Sequence, residues 1–291
     1  MTALTYSARP DPWPQAPWGS RLRRAILTAG DLHYWQGLMP RLKELQQSQW
    51  WPVERIKLVR DQKLREVVHV ACREVPFYRE WLNSTGRTPD DIRGPQDLVG
   101  LPVVTKTALR NAYPYKTVRR TQQHAYQVSS SGSTGNNFCV MEDASTAGFY
   151  RASFLLALEW SGWHIGDPHM QTGMTLQRSL DRKLKDIVLR CHYLSAFDLS
   201  DAGLDAALDV IERKGLQCLW GYPGSLYYLA RRAAQRGWNR SLRSIVTWGD
   251  NLFVHYRSLI ERTFRCRIFD TYGCGEGIQI AAQCRMSRAK E

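Results

Sequence analysis

Between residue 21 and about Leu109, apolar residues recur at intervals of three and four, the spacing of one face of an α-helix. In "KLREVVHVACREVPFYREWL", Leu64, Val67, Val68, Val70 and Ala71 form such a face, and Pro76 interrupts it, so the pattern predicts a break there. Thr105 in "LPVVTKTALRNAYP" stands where an N-cap belongs, and the short helix it opens must stop before Pro114. Residues 1–20, rich in Pro and Trp, carry no period and predict an irregular arm.

From about Tyr126 the pattern changes to short apolar runs alternating with helix-length amphipathic segments. "AYQVSSS" and "FCVME" predict strands on either side of a Ser/Gly loop, followed by a helix across "ASTAGFYRASFLLALEW". Further on, helix "SDAGLDAALDVIERKG", strand "LQCLWGY", helix "GSLYYLARRAAQRG", strand "RSIVTWGD", helix "VHYRSLIERTF" and strand "RIFDTYG" follow in order. Alternation of this kind predicts an α/β fold with a mainly parallel sheet flanked by helices. The expected organisation is an arm over 1–20, a helical region over 21–115 and an α/β core over 116–291. "LQRSLDRKLKDIVL" spaces Leu176, Leu180, Leu184, Ile187 and Val188 helically, with Arg182, Lys183 and Lys185 mostly on other faces. The expectation is a helix turned to the core; a membrane-surface helix is the alternative.

Composition narrows the partners. The 291 residues are 43% hydrophobic, enough for a large core, and 40 basic against 27 acidic residues leave a net charge of +13 that favours anionic partners. No recognition-helix, zinc-finger or RNA-binding signature accompanies that charge, so nucleic acid is the weaker choice beside nucleotides. Seven scattered cysteines without a C-x-x-C pair argue against a disulfide framework or compact zinc site and point to the reducing cytoplasm. No apolar run has the length of a membrane span or a signal-peptide core.

In a parallel sheet, ligands gather at the carboxyl ends of strands, and three such places carry suitable residues. "SSSGSTGNN" (129–137) places Gly132 and Gly135 among the hydroxyls of Ser131, Ser133 and Thr134, a composition that fits both a surface linker and a loop donating to phosphate. It is not a Walker loop, which needs Gly-Lys-Ser/Thr opening a helix. "VTWGDNLF" brings Gly249 and Asp250 to a strand end, where Asp250 has the alternative of capping the next helix. "FDTYGCGEG" ends a strand in a glycine-punctuated turn bearing Glu276, a residue type that binds Mg²⁺ beside phosphates or simply faces solvent. The seven histidines form no Ser-His-Asp or Cys-His arrangement. Trp220, Tyr222 and Trp248, also at strand ends, are candidates for either an acyl pocket or the core.

The order and spacing of these three segments resemble the phosphate loop, adenine-contacting segment and Tyr-Gly-x-x-Glu turn of adenylate-forming (acyl-CoA synthetase) enzymes. The phenylacetate-CoA ligase-like branch is the closer resemblance. "VPFYREWL" (75–82), "DDIRGPQDLVGLPVVTKTALR" (90–110), "SAFDLS" (195–200) and "GYPGSLYYLA" (221–230) extend it from about Arg60 to Cys284. The resemblance implies an adenylate-forming large domain that joins a carboxylic acid, aromatic in this branch, to the α-phosphate of ATP with Mg²⁺, and then in many members to coenzyme A. Residue by residue, it implies that Ser131, Gly132, Ser133, Thr134 and Gly135 surround the phosphates. Gly249 and Asp250 would lie beside adenine, with Tyr272 on its ring, and Glu276 would hold the metal.

Two departures qualify these expectations. Where the family commonly has Gly-Lys-Pro, this chain has Gly135-Asn136-Asn137, and a lost charge-assisted contact costs roughly 1.5–3 kcal/mol. Fifteen residues follow Glu276, so the family's ribose-binding aspartate and its small C-terminal domain with a catalytic lysine have no counterpart in this sequence, and Lys290 does not match that lysine. The expectation is a large N-terminal portion, active as a ligase or acting as a weak nucleotide- or partner-binding remnant. A separate C-terminal polypeptide is its implied partner.

Overall fold

The computed structural model describes residues 19–34, 37–119, 125–129, 138–173, 179–196 and 198–286. Contacts divide the chain into one unit of residues 1–30, 157–272 and 280–291 and another of 31–156 and 273–279. After α1 (Gly19–Tyr34), the second unit runs through α2 (Leu38–Ser48), α3 (Val53–Glu74), α4 (Pro76–Asn83) and α5 (Lys106–Ala112). The break at Pro76 is where the pattern put it: Val75 is extended (φ −118°, ψ 106°), as a residue before proline prefers, and Pro76 sits in the first turn of α4. Thr105 caps α5, its hydroxyl accepting the Ala108 N–H at 3.1 Å, and the helix ends ahead of Pro114. Leu42, Leu82 and Ile92 are buried in this unit.

The two strands expected around the Ser/Gly loop form an antiparallel pair, β1 (Ala125–Ser129) and β2 (Cys139–Asp143), in register from Ala125↔Asp143 to Ser129↔Cys139. The Asp143 carboxylate accepts the Thr146 N–H at 2.6 Å in the first turn of α6 (Ala144–Ser161). This bond satisfies one of the donors a helix start leaves open.

The other unit holds most of a six-stranded sheet. Its elements are β3 (His169–Gly173), α7 (Leu180–Leu189), β4 (Cys191–Ser195), α8 (Asp201–Lys214) and β5 (Cys218–Gly221). They continue as α9 (Pro223–Gln235), β6 (Ser244–Thr247), α10 (Val254–Phe264), β7 (Arg267–Cys274) and β8 (Ile278–Ala282). The strand order is β4-β3-β5-β6-β7-β8, and the β4/β3, β3/β5, β5/β6 and β6/β7 pairs are all parallel. β8 follows β7 after three residues, a connection only an antiparallel hairpin can make. The fold is thus α/β, with a mostly parallel sheet flanked by helices.

Register explains the core. Met170, Leu219, Ile245 and Ile268 pair in one row across four strands, and therefore share one face of the sheet. Onto that row pack Leu204, Leu208 and Ile211 of α8, Leu226 and Leu229 of α9, and Ile260 and Phe264 of α10. Burying one such side chain contributes about 1.5–3 kcal/mol, so this layer fixes the strand ends that follow from it. Leu176 lies outside the described residues; the rest of the expected helix forms as α7 from Leu180, but Leu180, Leu184 and Ile187 are 84%, 63% and 70% exposed, against the expectation of a core-facing stripe. Helical spacing states that the apolar residues share a face; it does not state what covers them.

Candidate active site at the carboxyl edge of the sheet

The last β6/β7 pair is Thr247↔Asp270; Gly249 lies in a bend two residues past the end of β6, and Tyr272 lies two residues further along β7. Two side-chain bonds lock these ends: the Thr247 hydroxyl donates to Asp270 Oδ1 at 2.6 Å, and the Thr271 hydroxyl to the Thr247 carbonyl at 2.8 Å. Gly249 has φ +77°, in the left-handed region, and a Cβ placed there would lie 2.7 Å from the Tyr222 ring. Only glycine lets that aromatic ring close onto the turn without strain.

Tyr222 follows β5 directly, and its N–H donates to the Thr172 hydroxyl of β3 at 3.2 Å. The Trp248 N–H donates to the Gly221 carbonyl at 3.3 Å, and the Tyr222 and Trp248 rings meet edge-on with centroids 6.4 Å apart. At the next strand end the Tyr193 hydroxyl occupies the space where a Cβ of Gly173 would stand. Burial pushes the Tyr222 phenol above its ordinary pKa, and the neighbouring Tyr193 adds to the rise while Trp248 opposes it. The result is a half-buried aromatic wall, neutral at physiological pH, beside a turn stripped of side chain. The ring of Tyr272 on the adjoining strand is exposed.

Asp250 does not cap a helix: α10 has Phe253 as its N-cap residue, and the exposed Asp250 carboxylate accepts the Asn251 N–H at 2.7 Å. Of the three aromatic candidates, Tyr222 and Trp248 are brought together with Gly249. Trp220 is set apart, 4% exposed, its ring stacked on His169 at 3.8 Å and edge-on to Trp163 at 4.7 Å. Glu276 is the central residue of the three-residue β7–β8 turn, partly exposed and hydrogen-bonded with Cys274. Burial, with this carboxylate as the next cause, raises the Cys274 thiol. The expected phosphate loop, Ser131, Gly132, Ser133, Thr134 and Gly135, lies outside the described residues. A cleft of about 250 Å³ in the unit of residues 31–156, walled by Tyr78, Leu109, Tyr113, Phe138 and Met141, contains none of the expected phosphate, adenine, metal or acyl-pocket residues.

Sequence reasoning missed Thr172 and Tyr193 because β3 and β4, "HMQTG" and "CHYLS", are short and mixed in polarity; Asp270 lies in the predicted strand "RIFDTYG", but its bond to Thr247, 23 residues away, exists only in the fold. Gly173 was the available signal, a strand-end glycine whose missing side chain makes room for a neighbour.

No family model matches the chain. It is 34% identical over 85 residues to phenylacetate-coenzyme A ligase of Thermus thermophilus, a match covering 29% of this chain and 19% of that protein. With phenylacetate-coenzyme A ligase of Escherichia coli it shares 33% identity over 84 residues, 28% of this chain and 19% of that one. Among solved structures, 2-hydroxyisobutyryl-CoA ligase with 2-HIB-AMP and CoA in the thioesterification state superposes with a TM-score of 0.59 at 17% identity, over 81% of this chain and 53% of that chain. The same ligase in the postadenylation state with R3-HIB-AMP gives 0.58 at 17% identity, over 77% and 49%. The matches therefore span about a fifth of the curated relatives and about half of the ligase structures. In sequence over those 85 residues and in fold over most of its length, the chain resembles the acyl-CoA ligase, or adenylate-forming, family over its N-terminal portion.

Proposed function

We propose that the chain binds ATP and a carboxylic acid and takes part in forming an acyl-adenylate, which coenzyme A then converts to a thioester. The observation that carries this is the carboxyl edge itself, where the Gly249 turn closes on the Tyr222–Trp248 wall just past the last pair of β6 and β7, Thr247↔Asp270, and the exposed Tyr272 follows on β7. A bare glycine turn and an exposed tyrosine ring both suit a flat nucleobase, and the aromatic wall suits an apolar, in particular aromatic, acid. Similarity to phenylacetate-coenzyme A ligases over 85 residues supports the same class of acid.

In adenylation a carboxylate oxygen attacks the α-phosphorus, and the bond to pyrophosphate breaks. No protein nucleophile takes part, so alignment of the two substrates and neutralisation of phosphate charge supply the rate. Gly249, Asp250 and Tyr272 hold adenine, Tyr222 and Trp248 place the acid, and Ser131, Gly132, Ser133, Thr134 and Gly135 donate to the phosphates. Among the described residues no group of three or more His, Cys, Asp or Glu side chains gathers to hold a metal. One carboxylate fits Mg²⁺ that retains phosphates and water as its other ligands, and Glu276 is that carboxylate. Bound there, Mg²⁺ would polarise phosphoryl oxygens and orient pyrophosphate.

ATP binding, followed by exchange of labelled pyrophosphate into ATP across a panel of aliphatic and aromatic acids, tests the proposal. Magnesium-dependent ATP binding with acid-dependent exchange is expected. Absence of both overturns it.

A further inference from the structure

Glu142 is a buried carboxylate with no assigned task. It lies on β2, 9% exposed, and accepts a hydrogen bond from the Tyr126 hydroxyl of β1. Its other neighbour is the β7–β8 turn, because a Cβ added to Gly277 would collide with Glu142 Oε1 and come within 3.8 Å of Thr146 Cγ2. Gly277 has φ +81°, so the three-residue turn Gly275-Glu276-Gly277 ends in the left-handed residue that such hairpin loops require. The bare α-carbon of that residue packs on the Glu142 carboxylate. Burying a carboxylate is costly without compensation, and one hydroxyl donor offsets only part of the cost, so this arrangement is a specific contact and not a default of packing.

We propose that Glu142 is a positioning residue for Glu276: held by Tyr126 and seated against Gly277, it fixes the turn that aims the Glu276 carboxylate. The inference rests on the role given above to Glu276, but the contact itself is tested separately. Glu142 is not a metal ligand in this scheme. Its length and its acceptor oxygen do the work, and its charge does not.

Hydrogen exchange in the full chain reads the turn directly. Glu142→Ala is expected to accelerate exchange of the amides at 275–279 at least about tenfold relative to the rest of β7 and β8. Glu142→Gln, which keeps the length and an oxygen acceptor, should retain wild-type protection, and Tyr126→Phe should fall between. Unchanged protection in both Glu142→Ala and Tyr126→Phe overturns the proposal, and the tyrosine variant decides if the alanine variant does not fold. ATP affinity measured over a range of Mg²⁺ gives the second reading: Glu142→Ala should shift the midpoint to about tenfold higher Mg²⁺, and Glu142→Gln should not. A shift in Glu142→Gln equal to that in Glu142→Ala would make the charge the active feature and overturn positioning. Glu276→Gln separates the two levels: if its magnesium dependence is unchanged, the metal role of Glu276 fails, while loss of turn protection in Glu142→Ala still establishes the contact.

Discussion

The two edges of the parallel sheet are built on opposite plans. At the amino edge polar groups are taken in and closed off. His169, Ser244 and Cys218 are fully buried; the Ser244 hydroxyl donates to Ser161 Oγ at 3.3 Å, and Arg243 pairs with Asp167 at 2.6 Å. Burial raises the Asp167 carboxyl, but bonds from His164 and the Arg243 charge outweigh it and hold the group below its ordinary value. At the carboxyl edge side chains are withheld. Gly173, Gly221 and Gly249 leave room for Tyr193, Thr172 and Tyr222, and Tyr272 is left exposed. The amino edge spends polar groups on stability, and the carboxyl edge leaves surface for a ligand. Substitutions at the first should therefore change unfolding and leave binding alone, and those at the second should change binding most.

Gly249→Ala is expected to have the largest effect. The substitution imposes about 1–3 kcal/mol of backbone strain at φ +77°, and its methyl lands 2.7 Å from the Tyr222 ring, which must move. ATP affinity measured calorimetrically should fall by about 100-fold, equivalent to about 2.7 kcal/mol. A protein that melts lower but binds ATP normally would break the comparison, because the carboxyl edge would then be structural as well.

The contrast between the edges was only half legible in the sequence, for physical reasons. Three core strands, β5, β6 and β7, announced themselves as apolar runs between amphipathic helices, and with them came Tyr222 and Gly249 just past strand ends and Tyr272 near the end of β7. Thr105 and Pro76 marked helix boundaries correctly because caps and prolines act through the local backbone. The strands β3 and β4 were invisible, since His169, Gln171, Thr172, His192 and Ser195 break any apolar run. Their burial comes from neighbours distant in sequence. The amino-edge polar set was invisible for the same reason: Ser161 and Ser244, 83 residues apart, meet only in the fold. Tyr126 and Glu142 sit on the two predicted strands, but only their antiparallel register makes them a cross-strand pair.

His169→Phe sharpens the amino side of the comparison. The ring is completely buried between Trp163 and Trp220, and burial is the main cause that lowers its pKa from 6.5 to about 4; the nearby His192 lowers it further, and Asp167 opposes. The unfolded chain therefore takes up a proton at a pH where the folded chain does not. Stability from this group is complete above pH 6.5 and is lost as pH falls toward 4, by about 3 kcal/mol in all. Chemical denaturation at pH 7.5 and pH 4 should show wild type losing about that much more than His169→Phe. Equal losses would remove His169 as the source. ATP affinity of the variant at pH 7.5 should match wild type.

Ser244→Ala should be the mildest change and the most discriminating. Its hydroxyl touches Ser161 Oγ and, at 3.6 Å, Cys218 Sγ, but Ser161 keeps a bond of its own to the Leu158 carbonyl at 2.7 Å. Removing the hydroxyl thus orphans no strong donor and opens almost no space, and a cost of about 1 kcal/mol in denaturant unfolding is expected. The Cys218 thiol, already pushed up to about 11 chiefly by burial, loses a hydrogen bond that lowers it and should become still harder to alkylate. Ser244 begins β6, and three residues later Thr247 ends it, so a change confined to the amino edge has only one short strand to cross before reaching Gly249. If ATP affinity stays within twofold of wild type, the strand transmits nothing and the edges are independent. A larger loss would mean that β6 shifts as a rigid rod, making the polar closure at one end part of what holds the binding surface at the other.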